Sequence, residues 1–327
     1  MSQSAYIPPG SRRQFIKLAA ASAIAGGTVS PAPALAASTV LAPPKRALRV
    51  AHLTDSHIQP ERDGHLGLAA CLKHVHDTSK PDLILTGGDN IMDAFSKTES
   101  RAAELFSLWK KVVADHTDIP MLHCVGNHDV WGWDKKDSVT TGTEGRWGKK
   151  WAVETYDLPR SYYAFDRAGW HFIVLDSTFP HGGDGYTAKL DEDQFAWLAA
   201  DLAATPATKP VLILSHIPIL SACAYFDGDN EEKGDWNVPG SWMHIDARRI
   251  KDLFFKHPNV KVALSGHIHL VDRVDYLGVT YLCNGAVSAG WWKGPNQECL
   301  NGYGVVDLFT DGSFDERYET FDWDPRE

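Results

Sequence analysis

The chain has 327 residues, of which 43% are hydrophobic and 23% charged, and carries a formal net charge of −10. These figures describe an ordinary globular protein with a sizeable core and room for one large domain or two small ones. The excess of acid argues against a polyanion as main partner, so no nucleic acid is expected.

Residues 1–36 read as a targeting segment. Ser11-Arg12-Arg13-Gln14-Phe15-Ile16-Lys17 precedes an apolar stretch from Leu18 to Val29, and Ala34-Leu35-Ala36 offers a small-residue cleavage site. The paired arginines resemble a twin-arginine export signal. The stretch is short and rich in Ala and Gly, so no stable membrane span is expected after cleavage. A periplasmic or extracellular location follows, reached in the folded state through the twin-arginine export machinery. Cleavage after Ala36 removes Arg12, Arg13 and Lys17 and no acid, which leaves the mature chain more acidic still. Residues 37–46 form an Ala/Pro-rich linker, and residues 47–327 a single domain whose C-terminal part is rich in strands.

From Leu48 strands and helices alternate. Leu48–Thr54 is a buried strand, and Leu66, Ala69, Leu72 and Val75 have helical spacing. Leu83–Thr86 is the next strand. Residues 98–115 form a helix with Ala103, Phe106, Trp109, Val112 and Val113 on one face, and Met121–Val125 is a third strand. A polar and aromatic insertion spans residues 130–160. Tyr162–Phe165 and Trp170–Asp176 make a hairpin across Arg167-Ala168-Gly169. Asp191, with Gln194 three residues on, caps a helix over 192–204. Val211–Leu214 is a strand, 217–245 a second long loop and 246–256 a helix. Strands at 260–265, 270–276, 279–283, 302–309 and 314–321 complete the chain. Loops this long inside a domain are usually functional or disordered, and both leave strand ends that carry metal-ligand types of residue.

Five apolar runs end in such residues. Leu48–Thr54 leads into Asp55 and His57, Leu83–Gly88 into Asp89, and Met121–Gly126 into Asn127 and His128. Val211–Ser215 leads into His216, and Val260–Gly266 into His267 and His269. Functional groups of α/β sheets gather beyond the carboxyl ends of strands. Pooled there, these donors suffice for two metal ions with one group left for proton transfer. Asp89, alone at its strand end, is the natural bridge between the ions. The Asp55-x-His57 spacing in an extended segment puts both side chains on one side. Mixed imidazole and carboxylate donors suit Fe, Mn, Zn, Co or Ni better than Mg or Ca.

Asp55-Ser56-His57, Gly88-Asp89-Asn90, Gly126-Asn127-His128-Asp129, His216 and Gly266-His267-Ile268-His269 together resemble the calcineurin-like metallophosphoesterase family, in that family's order, over residues 48–285. The resemblance implies a layered α/β/β/α sandwich of two mixed sheets. It also implies two divalent or trivalent transition-metal ions (Fe, Mn or Zn), one bound by Asp55, His57, Asp89 and His269 and the other by Asp89, Asn127, His216 and His267. His128 then stays off the metals and serves the leaving oxygen as acid or electrostatic clamp, oriented by Asp129 or by Asp93. The spacing from Asp89 to Asp93 is one residue longer than the family's usual partner acid. The implied reaction is hydrolysis of a small phosphate ester by attack of a metal-bridging hydroxide. Purple acid phosphatases carry a ligating Tyr three residues after the bridging Asp; Met92 stands there, so no tyrosinate–iron chromophore is expected. The Gly-Asn-His-Asp element looks more like the branch with class III cyclic-nucleotide phosphodiesterases. A phosphodiester is therefore the expected substrate, with phosphomonoesterase as the alternative and a nuclease or a metal-binding sensor behind it.

Several residues have two readings. The twelve Trp either line a cleft or pack long loops onto the body. Trp291-Trp292-Lys293 forms a pocket wall or packs a loop, and His181 reaches a phosphate or lies at the surface. The acidic run 227–232 is a solvated face or screens out highly anionic substrates. Cys71, Cys124 and Cys283 are expected to be buried thiols, while Cys223 and Cys299 lie in loops and could pair as a disulfide.

Overall fold

In the computed structural model, which describes residues 44–231 and 234–324, strands form where the uninterrupted apolar runs lie. The expected export signal and the linker as far as Pro43 lie outside the described residues. The last linker position, Arg46, already belongs to the first strand.

The first sheet contains β1 (Arg46–Leu53), β2 (Leu83–Thr86), β3 (Met121–His123), β12 (Gly302–Phe309) and β13 (Phe314–Thr320), in the order β13-β12-β1-β2-β3. The second contains β4 (Tyr163–Arg167), β5 (Trp170–Leu175), β8 (Val211–Ser215), β9 (Val260–Ser265), β10 (Asp272–Tyr276) and β11 (Val279–Cys283), in the order β10-β11-β9-β8-β5-β4. Strands β1, β2 and β3 run parallel, as do β5, β8, β9 and β11, while β4, β10, β12 and β13 run antiparallel to their neighbours. Every strand that ends in a candidate ligand thus belongs to a parallel set, and the ends within each set point one way.

Alternation along the strands decides the layers. Val50, Leu83, Leu85, Val306 and Leu308 of the first sheet meet Phe172, Val174, Leu212, Leu214, Val262 and Leu264 of the second in one buried cluster. Ala51, Leu53 and Ile84 face the other way, onto α1 (Gly64–His74) and α2 (Glu99–His116). With α3 (Lys135–Ser138) and α4 (Lys150–Thr155) between the sheets in sequence, the second outer layer follows as α5 (Glu192–Ala204) and α6 (Ala247–Phe255). They cover Ile173, Leu175, Ile213 and Ala263. This is the expected α/β/β/α sandwich. Burial of each such aliphatic side chain contributes about 1.5–3 kcal/mol.

Local departures have local causes. In α1 the buried face is Leu68, Cys71 and Leu72, whereas Leu66 is exposed, because Gly64 and Gly67 turn toward the ring of Trp292. Asp191 caps α5 as expected, its Oδ1 accepting from Gln194 N at 2.8 Å, but the Gln194 side chain clasps the backbone of Asp176 instead of returning to the cap. Residues 178–190 contain an unforeseen hairpin, β6 (Thr178–His181) with β7 (Gly185–Ala188). The 130–160 insertion is packed rather than open: Trp151 lies 5.3 Å from Phe106 and Tyr156 4.8 Å from Trp109, ring to ring, on α2. All five cysteines are free and buried. Cys223 and Cys299 do not pair; they lie in one small apolar cluster with Cys283, Ile268 and Leu270, and Cys223 Sγ is 3.1 Å from the Ser221 hydroxyl.

Candidate active site

The loops after β1, β2, β3, β8 and β9 bring all seven expected ligands together. Three groups of donor atoms each lie within 4.8 Å of one another: Asp55, His57 and His269; His57, Asp89 and His128; and Asp89, His216 and His267. Each could hold a metal ion. Asp89 belongs to two of them. Its Oδ1 accepts the His128 N–H at 2.7 Å, which leaves Oδ2 facing His216 Nε2 at 3.3 Å and His57 Nε2 at 3.8 Å.

The donors are set up as lone pairs rather than as a hydrogen-bond network. His269 Nδ1 lies 2.6 Å from Ala289 O and His216 Nδ1 2.8 Å from Gly87 O. Each carbonyl takes the Nδ1 proton, so Nε2 is the nitrogen that would give a lone pair inward once a cation displaces its proton. There His269 Nε2 meets His57 Nε2 at 3.1 Å, and His216 Nε2 meets Asn127 Oδ1 at 3.1 Å and His267 Nδ1 at 3.2 Å. Asp55 Oδ2 takes the Thr54 hydroxyl and the His267 N–H, while Oδ1 is buried 3.3 Å from His269 Nε2. Such convergence of acceptors is costly unless cations sit among them, and the donor set fits transition-metal ions.

Electrostatics carry the same imprint. Burial opposes ionisation of Asp89, yet His216, His128 and His57 hold its carboxyl well below the usual range. Burial also opposes charge on His216, but Asp89 outweighs it and raises His216 to about 9. His57 and His267 are pushed down to about 3, by burial first and then by the neighbouring His128 and His216 respectively.

The backbone here is not extended. Asp55, His57, Asp89, His267 and His269 all have left-handed φ, between 41° and 72°. The Asp-x-His pair therefore converges through a left-handed loop, a correction to the extended-segment reading. Such residues cost about 1–3 kcal/mol each and persist only where their surroundings over-determine them. Two glycines make room: a Cβ on Gly126 would strike the Asp89 carboxylate, and one on Gly266 would strike Thr54 and Asp55.

His128 stands at the mouth, part-exposed, its ring 4.8 Å from that of His57 and its Nε2 4.0 Å from Asp89 Oδ2. Of its two candidate partners, Asp93 faces Nδ1 at 3.7 Å. Asp129 does not; it is fully buried and accepts from Asn90 N, Gly126 N and the Tyr156 hydroxyl, tying the loops after β2 and β3 together. His181 lies exposed on β6, and Lys293 is exposed as well.

Sequence reasoning offered Trp291-Trp292-Lys293 as a pocket wall or as loop packing, and the two tryptophans divide those roles, but it did not foresee how the turn at 288–292 is anchored. Ser288 gives both N–H and hydroxyl to Asp55 O, and Trp292, wholly buried, gives its indole N–H to Ser56 O and His57 O. Trp291 borders His269 at 4.5 Å and His57 at 6.0 Å, ring to ring. Tyr186 of the unforeseen hairpin borders His267 at 6.2 Å. The adjacent tryptophans were the only visible signal of the turn. Trp131, Trp133 and Trp151 serve packing.

The calcineurin-like phosphoesterase family model matches residues 48–271. The chain is 24% identical over 245 residues to the 3',5'-cyclic adenosine monophosphate phosphodiesterase CpdA of Escherichia coli (strain K12), covering 71% of this chain and 73% of that one. It is 26% identical over 230 residues to a probable glycerophosphodiester phosphodiesterase GpdQ of Arcobacter nitrofigilis, covering 68% and 72%. A dimetal phosphatase from Danio rerio shares the fold with a TM-score of 0.58 at 13% identity, over 81% of this chain and 94% of that one.

Proposed function

The chain belongs to the calcineurin-like phosphoesterase family of hydrolases acting on phosphoester bonds, and from that premise we propose that it hydrolyses a phosphodiester at a dinuclear metal centre. One observation carries the proposal: Asp89 Oδ2 faces imidazoles from both sheets, His57 on one side and His216 on the other. Asp55, His57, Asp89 and His269 would hold the first ion, and Asp89, Asn127, His216 and His267 the second. When bound, two Fe, Mn or Zn ions would polarise the phosphoryl oxygens and lower the pKa of a water.

The chain's own residues do the rest. The left-handed loops hold the ligands in place before substrate arrives. His128, held toward Asp89 by its own backbone N–H and faced by Asp93, supplies a proton from Nε2 to the departing alkoxide. The water oxygen bonds to phosphorus, the ester P–O bond breaks, and no covalent enzyme intermediate is needed.

The diester reading is supported by the names of the relatives. It is tested with mature protein from Ala37 loaded with Mn, comparing bis-p-nitrophenyl phosphate with p-nitrophenyl phosphate. The expected outcome is preference for the diester, lost by about 10²–10⁴-fold in His128→Ala with metal content retained. Preference for the monoester makes the protein a phosphatase. Metal binding without turnover of either would favour a sensor.

Residues 1–36 are proposed as a twin-arginine signal that sends the folded enzyme out of the cytoplasm, on the strength of Arg12-Arg13 before an apolar stretch. Arg12→Lys with Arg13→Lys is expected to leave the precursor in the cytoplasm. Unchanged export of this double variant, read by cell fractionation, would sink the assignment.

A further inference from the structure

Trp291 is an exposed indole held still. It is 36% exposed, whereas the adjacent Trp292 is completely buried. Ala289, Trp291 and Trp292 all adopt left-handed φ, of 46°, 55° and 65°. The turn that strains them is fastened to the metal-ligand loops from several sides: Ser288 to Asp55, Trp292 to Ser56 and His57, and Ala289 O to His269 Nδ1. A loop tryptophan with no more to do than fill space would be free to fold inward. This one is fixed with part of its surface open to solvent, which lowers the entropy cost of stacking something onto it.

Its position places it at the edge of the site. The ring of His57 lies 4.8 Å from that of His128 and 6.0 Å from that of Trp291, which also lies 4.5 Å from the ring of His269. Anything bound at the His57 and His269 pocket therefore lies within reach of the indole. Tyr186 occupies the other side, near His267 and 5.8 Å from Phe95. The mouth of the site thus has an aromatic wall over each half.

We propose that Trp291 is a specificity-determining residue that stacks against a planar ring of the substrate beside the His57 and His269 pocket, so that the preferred diester is of nucleotide type rather than built from aliphatic alcohols alone. The proposal rests on the phosphodiester reading above.

The test compares 3',5'-cyclic AMP with glycerophosphoethanolamine in wild type, Trp291→Ala and Trp291→Phe, each loaded with Mn. The kcat/KM ratio, cyclic AMP over the aliphatic diester, is expected to fall about tenfold or more in Trp291→Ala. The loss is expected in KM rather than kcat, with recovery to within about threefold of wild type in Trp291→Phe. An unchanged ratio, or equal losses on both substrates, overturns the proposal. A binding readout runs beside it: adenosine 5'-monophosphate is expected to quench tryptophan fluorescence in wild type more than in Trp291→Phe, and equal quenching counts against stacking. If wild type turns over neither diester, the phosphodiester reading has failed on its own. The indole is then judged by the same ratio with phenyl phosphate against glycerol 3-phosphate, where the same outcomes decide.

Discussion

The pocket of Asp55, His57 and His269 and the pocket of Asn127, His216 and His267 use similar donors but are braced differently. In the first, all three residues have left-handed φ, and the turn at 288–292 braces them from outside the sheets. In the second, only His267 is left-handed; His216 follows directly on β8, its ring anchored by Gly87 O. Strand ends can therefore position a ligand at little conformational cost. A pair of ligands two residues apart on one loop needs strain, and strain needs a buttress.

Removing the buttress is expected to have the largest effect. Trp292→Ala opens a cavity beneath Ser56 and His57 and is expected to cost about 3–5 kcal/mol. Metal content should fall from two ions per chain toward one, with the second pocket retained. Denaturant melts with metal analysis check this, and full metal content would break the contrast between the halves.

The second prediction sharpens the electrostatic side of the comparison, because each pocket holds one imidazole pushed down and one raised. In metal-free protein, His57 and His267 have folded values near 3, below the unfolded value near 6.5. Their contribution to stability is present above about 6.5 and lost as pH falls toward about 3. His216, raised to about 9, acts in the opposite sense: its contribution is present below about 6.5 and lost as pH rises through about 9. Stability with chelator should peak near pH 6.5, and His216→Asn should weaken the alkaline decline, to which the raised His269 also contributes. Urea midpoints against pH read this directly, and an alkaline limb unchanged by the substitution would refute the part assigned to His216.

The smallest effect is expected at Ser288. Ser288→Ala removes the hydroxyl bond to Asp55 O and should cost about 1 kcal/mol, weakening metal affinity in the first pocket only. Equal weakening in both pockets, followed by competition with a metal chelator, would show that the halves are coupled rather than separately braced.

The sandwich and the convergence of the candidate ligands were legible in the sequence because each candidate follows a short apolar run, and such runs become strands with little ambiguity. What it hid depends on contacts distant in the chain. Nothing near Asp55 announces Ser288 or Trp292, more than 230 residues away. The left-handed φ of Asp55 and His57 is set by that turn and by the room left at Gly266, so local spacing suggested an extended segment instead. Asp129 and Asp93 both stood as candidate partners of His128. The Asp129 carboxylate accepts from three N–H groups and a tyrosine hydroxyl, and it is Asp93 that lies 3.7 Å from His128 Nδ1. The β6–β7 hairpin escaped because its strands are short and carry Pro180, His181 and Gly185 in place of an apolar alternation.

The sheet order gives the protein a schedule. Strand β1, which delivers Asp55, pairs on one side with β2 and on the other with β12, in a register that joins Arg46 to Phe309. On the ribosome, one edge of the earliest described strand stays open until residues 302–309 have emerged, and closing so long a loop is slow. The turn at 288–292 that braces Asp55 arrives equally late. Completion of the site thus waits on a turn and a strand made more than 230 residues after Asp55.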